Sequence, residues 1–430
     1  MSASHLAPRR APSRTGATRV ATSRSGPESS RAVAPNPWLV VTRGRFGSTA
    51  SRVLEHLRIS GVASRDEIVT ETGLSPATVG RSVSALVAAG LVIERPDRIR
   101  SGANGRPGIP VAINPDTYVT IGIHLGRRVS TVALGDLTGA VVAGTTVPHD
   151  PGRPRDLTEL GRQAARLLGR GDGLVPLTVG LVSPWADLGL SPEETAAELE
   201  EVLGLDVVPA DHIGAVAAAD YLHQRVGVGG VTAYFYARDT AGWAVAAARG
   251  DHVEVSRAMS LTHFPTGGDR ICGCGATGCL EATISDHAIG QIAHEQGIVD
   301  TPEVEAVHAA ADAGSGPAQD LLVHRARTIG RAAAMVRDMV APDRMILVGQ
   351  ACTARPEVIP ETIKAFDEAT AGPPLELTFT RVGGGIQAVS ACAVALGPVY
   401  DDPMAALPQN RPPVVPRQSR GRSVGRRRRG

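Results

Sequence analysis

One loop constrains this chain more than any other feature. It reads His263-Phe264-Pro265-Thr266-Gly267-Gly268-Asp269-Arg270-Ile271-Cys272-Gly273-Cys274-Gly275-Ala276-Thr277-Gly278-Cys279-Leu280-Glu281. Three thiolates and one imidazole form a closed tetrahedral donor set for Zn2+, with no position left for a substrate. Gly273, Gly275 and Gly278 let so short a loop close round one ion at little steric cost. The alternative is three buried or free thiols. Cysteines this close, with glycine between them, pack poorly as core. His263, Cys272, Cys274 and Cys279 are therefore expected to hold a structural zinc.

A chain of 430 residues is too long for one ordinary core, so two or three domains are expected. Outside the loop, Cys352 and Cys392 are the remaining cysteines, which is no disulfide framework and fits a reducing cytoplasm. No apolar run reaches membrane-spanning length, and the first residues lack the apolar core of a signal peptide. No membrane partner is expected. Lys364 is the single lysine among many arginines, a bias that codon usage explains as readily as phosphate recognition.

A net charge of +1 conceals a strong asymmetry: +5 over residues 1–42, +4 over 43–110, +8 over 403–430 and −16 over the rest. A basic front on an acidic body suggests that the front meets nucleic acid. For the two tails alone, solvated arginine is an equally good reading. Residues 1–42 and 403–430 have the composition of a disordered basic arm and tail.

Residues 43–114 read as a winged helix-turn-helix. A first helix covers about 48–60. Ser64 and Glu67 form a capping box for a second helix that closes near Gly73. Ser75 and Pro76 start a third. In it Val79, Val83, Leu86 and Val87 make one buried stripe, and Gly90 ends it. Two strands, Leu91–Glu94 and Ile109–Ile113, flank a Gly/Arg-rich wing. The third helix of such a unit enters the major groove with its N-terminal residues at the bases. Ala77, Thr78, Arg81 and Ser82 are the expected contacts. Arg81 suits guanine, Ala77 or Thr78 a thymine methyl, while Thr78 and Ser82 could instead bond phosphates. Arg98, Arg100 and Arg106 belong to the wing. A winged helix can also serve protein contacts.

After Asn114-Pro115, three β runs (118–124, 129–134 and 141–147) open an alternating pattern that suits an α/β body of ribonuclease-H-like type over 115–402. Ala318–Val340 reads as a long helix and Arg344–Val348 as a buried strand.

The cysteine loop resembles the zinc signature of the ROK family, which includes sugar kinases, transcriptional repressors and open reading frames of unknown role. The cysteine part, Cys-x-Cys-Gly-x-x-Gly-Cys-x-Glu, matches at every position. The resemblance covers roughly residues 44–400 and implies a two-lobed body of actin/hexokinase type. Gly105-Arg106-Pro107 resembles the wing turn of the repressor members, whose arginine approaches the minor groove.

Against the family's kinases, the phosphate turns have changed. The first turn reads His124-Leu125-Gly126-Arg127-Arg128, where the family pattern has aspartate and a second glycine. The second, Ala237–Trp243, keeps one glycine and ends in bulky Trp243. The third reads Val348-Gly349-Gln350. These changes remove bare backbone where phosphate needs it. At the sugar site, Asp211 matches the catalytic base, but Ala210 and Ser260 replace two polar partners. Asp211, His263 and Glu281 remain as ligand candidates. Asp211 and Glu281 read equally as relics or as groups backing the zinc.

The expectation is a zinc-containing regulator of repressor type. It would act as a homodimer or homotetramer on a two-fold DNA operator, would bind any sugar-like effector only weakly, and would have no catalytic residues. A sugar kinase with an added reading head and a scaffold without effector are the alternatives.

Overall fold

The computed structural model describes residues 39–99, 108–150, 153–171, 173–223, 229–250, 252–380 and 385–408. The wing tip with Arg100 and Arg106, the arm up to residue 38 and the tail from 409 lie outside the described residues.

The head comprises α1 (Thr49–Ser60), β2 (Val62–Ala63), α2 (Arg65–Thr72), α3 (Pro76–Ala88), β3 (Val92–Glu94) and β4 (Val111–Ile113). It is preceded by β1 (Leu39–Thr42). Each helix starts on a serine. Ser48 accepts from Ser51 N at 3.1 Å and Ser75 from Thr78 N at 3.2 Å. Ser64 accepts from Glu67 N at 3.2 Å while Glu67 Oε2 takes Ser64 N at 2.7 Å, a complete capping box. Val53, Leu54, Leu57, Ile68, Val79, Val83 and Leu86 are buried together. The three strands pair in the order β2-β4-β3, antiparallel throughout. The head is thus three helices with a small three-stranded antiparallel sheet.

The first lobe holds β5 (Tyr118–His124), β6 (Val129–Asp136), β7 (Val141–Pro148), α4 (Leu157–Leu168), β8 (Val175–Ser183), α5 (Trp185–Leu188), α6 (Pro192–Leu203) and β9 (Val207–Asp211). Then α7 (His212–His223) leads to the second lobe: β10 (Gly230–Ala237), β11 (Ala241–Arg249), β12 (His252–Val255), β13 (Met259–Ser260), α8 (Glu281–Ile284), α9 (Asp286–Glu295), α10 (Val304–Asp312), α11 (Gly316–Val340), β14 (Arg344–Val348), α12 (Gln350–Thr353), α13 (Ile359–Ala369) and β15 (Leu377–Phe379). The last helix is α14 (Ile386–Asp401).

The two lobes repeat one topology. The first sheet runs β7-β6-β5-β8-β9, an antiparallel three-strand meander followed by two parallel strands. The second runs β12-β11-β10-β14-β15 in the same pattern. Two such sheets, each carrying helices, make the two-lobed ribonuclease-H-like body. Two strands break the symmetry: β13 pairs with β11, and β1 extends the sheet. β1 adds to the outer edge of β12, so residues 39–42 are sheet, whereas composition placed them in the basic arm. Leu39-Val40-Val41-Thr42 is a short β-prone run, and its proximity to Arg- and Ser-rich sequence masked it.

The helices α7 and α14 pack on each other and on both sheets. Both are apolar on nearly every side, as helices enclosed by protein are. α14 lies unusually close to the first sheet. A Cβ added to Gly180 would stand 2.2 Å from the Ala391 carbonyl oxygen, and one on Gly122 2.6 Å from Cys392 N. Gly180→Ala should therefore force α14 outward and destabilise the chain by about 1–3 kcal/mol. A fall in the urea midpoint at unchanged slope is the readout; an unchanged midpoint would contradict the packing.

The head is continuous with this core. Tyr118, Leu137, Leu396, Val399 and Tyr400 join the same buried cluster as α1 and α3. Tyr118 donates its hydroxyl to the Ala89 carbonyl at 2.9 Å, and Ser51 Oγ donates to the Tyr400 carbonyl at 2.5 Å. Among the described residues no helix is long and apolar enough to cross a membrane.

Candidate functional site

The cysteine loop leaves β13 and returns at α8 as an irregular hairpin. Leu280 N donates to the Phe264 carbonyl at 2.8 Å, Glu281 N to Thr262 at 2.9 Å and Thr266 N to Gly278 at 2.7 Å. Further out, Cys272 N donates to Ala276 at 2.8 Å and Gly275 N back to Cys272 at 2.9 Å. Gly278 sits at φ +76°, where a Cβ would lie 2.5 Å from the Gly268 carbonyl oxygen. That close approach is why glycine stands beside Cys279.

This folding gathers the four predicted ligands. The candidate donor atoms of His263, Cys272, Cys274 and Cys279 all lie within 4.8 Å of one another. Cys274 Sγ is 3.7 Å from Cys279 Sγ, and His263 Nδ1 is 3.5 Å from Cys272 Sγ. Tetrahedral zinc with sulfur at about 2.3 Å requires ligand separations of about 3.8 Å. The donor set and its spacing fit such an ion, so these residues could hold a metal. Glu281 Oε2 lies 3.7 Å from Cys272 Sγ and 4.0 Å from His263 Nδ1, beside the donor set rather than within it. Cys272 and Cys279 are buried, and Cys274 and His263 face outward.

The cleft between the lobes differs from a phosphate cradle in its side chains. His124 ends β5; removal from water, with His212 and Arg238 nearby, pushes its imidazole down to about 3. Arg127 is exposed on the turn that follows. The turn between β10 and β11 is tight, Arg238 N donating to the Thr240 carbonyl at 3.0 Å. Arg238 Nε reaches Asp286 at 3.4 Å, and Arg325 holds the other oxygen of Asp286 while bonding the Ile284 carbonyl at 2.7 Å. An ion-pair cluster thus stands beside the turn where family kinases have glycines. Burial, reinforced by Asp286, raises the carboxyl of Asp239. Trp243 is placed otherwise than its position in the sequence suggested. It lies within β11 opposite Phe235 and packs on the second lobe's core, so it fills no phosphate turn. Gly349 is required by the chain itself: φ is +96° and a Cβ would meet the Ala237 carbonyl at 2.3 Å.

Asp211 heads α7, where its Oδ1 accepts from Ile213 N at 2.9 Å and lies 3.4 Å from His212 Nδ1. His212 is buried edge-on to Tyr236 at 4.8 Å. Asp187, on α5, was not singled out from sequence. Burial, reinforced by Asp211, raises its carboxyl against the opposing influence of His212, Arg127 and His263, so the cysteine loop and the α7 N-terminus face one cleft. No short motif surrounds Asp187, and only the fold reveals it.

On the head, Ala77 and Arg81 are exposed on α3 and Thr78 is half-buried, its hydroxyl 2.9 Å from Ser75 Oγ. Ser82 is a correction. It is buried, and its hydroxyl donates to Thr49 Oγ1 at 3.0 Å, which joins α3 to α1 and turns Ser82 away from any ligand. The exposed face continues instead through Ser84 and Ala85. Helical arithmetic could have found them, since 77, 81, 84 and 85 share one face as 79, 83, 86 and 87 share the other. Arg98 is exposed, 3.6 Å from an Asp97 that also binds Arg95 at 2.7 Å.

Comparison with known proteins agrees with this architecture. The profile of the ROK family matches residues 246–374, which include the cysteine loop. Transcriptional regulator Rv0485 of Mycobacterium tuberculosis is 33% identical over 390 residues, 84% of this chain and 87% of the relative. The N-acetylglucosamine repressor of Escherichia coli O157:H7 is 22% identical over 71% of this chain and 83% of its own length. The crystal structure of a ROK family transcriptional regulator, a homologue of the E. coli MLC protein, superposes with a TM-score of 0.65 at 21% identity, covering 82% of this chain and 96% of that one. A ROK hexokinase from Thermus thermophilus gives 0.53 at 22% identity, over 66% and 100%. The chain belongs to the ROK family.

Proposed function

We propose that this protein is a DNA-binding transcriptional regulator of repressor type, with a structural zinc and no kinase activity. The observation that carries the reading is the exposed face of α3, with Arg81 at its centre, on a head of net charge +4 over residues 43–110. The names of the relatives support it. The body acts as a homodimer or homotetramer that presents two heads to a two-fold operator. Arg98, Arg100 and Arg106 supply phosphate and minor-groove contacts from the wing, and the arginine-rich arm and tail add general affinity.

Zinc at His263, Cys272, Cys274 and Cys279 holds the loop closed and supplies no reaction chemistry. A sugar-like effector at Asp211, His263 and Glu281 has weaker support, because Asp211 Oδ1 is already bonded to the backbone of α7. Such an effector would bind loosely.

The kinase alternative is tested by ATP-coupled assay with glucose, N-acetylglucosamine and N-acetylmannosamine. The expected result is no phosphorylation above a protein-free control. Turnover of any of the three would overturn the reading. Titration of duplex DNA at several salt concentrations should show affinity falling steeply with salt.

A further inference from the structure

We propose that β1 is a strap that makes the position of the head depend on the angle between the two lobes. The proposal rests on the head being the DNA reader. β1 pairs antiparallel with β12, with Leu39 opposite Val255, Val40 opposite Glu254 and Thr42 opposite Val253. At the irregularity between those pairs, Val41 is buried among the residues of a cluster that includes Ile213, Val253 and Val255. The stem of the head is therefore an edge strand of the second lobe. Leu39 also packs against a small cluster that includes Val182, Ala391 and Val394, whereas the head's own core joins the first lobe and the end of α14 through Tyr118, Leu137 and Tyr400.

Only residues 43–48 separate these two anchors, since β1 ends at Thr42 and α1 begins at Thr49. That segment is drawn in. It holds a 3-10 turn closed by Phe46 N to Arg43 O at 2.9 Å and Gly47 N to Gly44 O at 3.0 Å. Its two ends are held on opposite sides: Phe46 lies edge-on to His252 of β12 at 5.9 Å, and Arg43 is ion-paired with Asp401 at the end of α14. A change in lobe angle must move α1 or open this turn. A second link runs in parallel. Arg58 of α1 donates to the Leu222 carbonyl in the last turn of α7 at 2.6 Å, while the first turn of α7 carries Asp211 and His212 in the cleft. Closure of the cleft around any occupant is thereby delivered to α1 from both sides.

Hydrogen exchange on the full chain tests this, with and without a DNA duplex chosen by selection from a random pool. Two variants are compared with the parent: Val41→Asp, and an insertion of Gly-Ser-Gly-Ser between Gly47 and Ser48 that adds slack without touching either anchor. In the parent, bound duplex should slow exchange at residues 252–255 by about fivefold or more, the lower end of ordinary coupling. The insertion should leave that segment's exchange unchanged without DNA, keep DNA binding, and abolish the slowing. Retention of the slowing by the insertion, or its absence in a DNA-bound parent, overturns the strap. If no duplex binds, the regulator reading fails on its own, and the strap is judged without DNA. Val41→Asp should then speed exchange in both 252–255 and 49–60; acceleration confined to 252–255 refutes the coupling. Should Val41→Asp not fold, the same two segments are compared between parent and insertion, where faster exchange in 49–60 supports the strap and unchanged exchange refutes it.

Discussion

Cys274→Ser should lower bound metal from about one zinc per chain to a small fraction of that and unfold or aggregate the body. A serine hydroxyl stays protonated and is no substitute for a thiolate. Cys274 is exposed, so the substitution removes little packing and the loss reads the metal. In isolated zinc-finger peptides the binding energy of a structural zinc is about 10–16 kcal/mol. A whole domain is stable by about 5–15 kcal/mol, so even a fraction of the first figure is decisive. The damage has a defined route. Leu280, next to the last ligand, is fully buried in the second lobe's core, and Glu281, whose N donates to Thr262, starts α8 one residue further on. Ile271→Ser is the control. Ile271 is 77% exposed on the same loop and is no ligand, so zinc content and stability should persist. Metal analysis with thermal unfolding decides; a zinc-free, fully folded parent chain would contradict the structural role.

Arg81→Ala should weaken binding to the selected site by about 1–3 kcal/mol, roughly 5- to 150-fold, and relax the preference at one position per half-site. Arg98→Ala should instead weaken all sequences alike and reduce the salt slope. Ser82→Ala should leave specificity intact and lower stability by about 1 kcal/mol through the lost bond to Thr49. The three patterns separate base contact, phosphate contact and internal packing. Titration of each variant against selected and scrambled duplexes reads them. If Arg81→Ala keeps the parent's ratio between the two, the base-reading surface lies elsewhere.

The gathering of His263, Cys272, Cys274 and Cys279 and the helices of the head were legible because their signals are local. Cysteine spacing, serine caps and a four-residue apolar stripe each act within one or two turns of chain, and the structure shows the caps and the stripe directly. Ser82 was misread because it lies next to Arg81 in sequence, and a 100° step per residue carried it to the α1 side. The repeated topology of the two lobes left no trace in sequence, because a sheet order is fixed by pairing across long separations. The same holds for β1, whose partner strand lies more than 200 residues away, and for Asp187, whose environment is assembled from four separate segments. Trp243 was assigned to a phosphate turn, whereas the antiparallel pairing of β10 with β11 places it in a strand opposite Phe235.

The central claim is that the head reads a two-fold DNA site. Selection of bound duplexes from a random pool by the full chain, followed by footprinting, tests it most directly. The account predicts an enriched, two-fold symmetric sequence with half-sites spaced by about one helical turn, 10–10.5 base pairs, or a multiple of it, and protection of both halves. A pool that stays random after repeated rounds, with the zinc-loaded protein folded throughout, would contradict it.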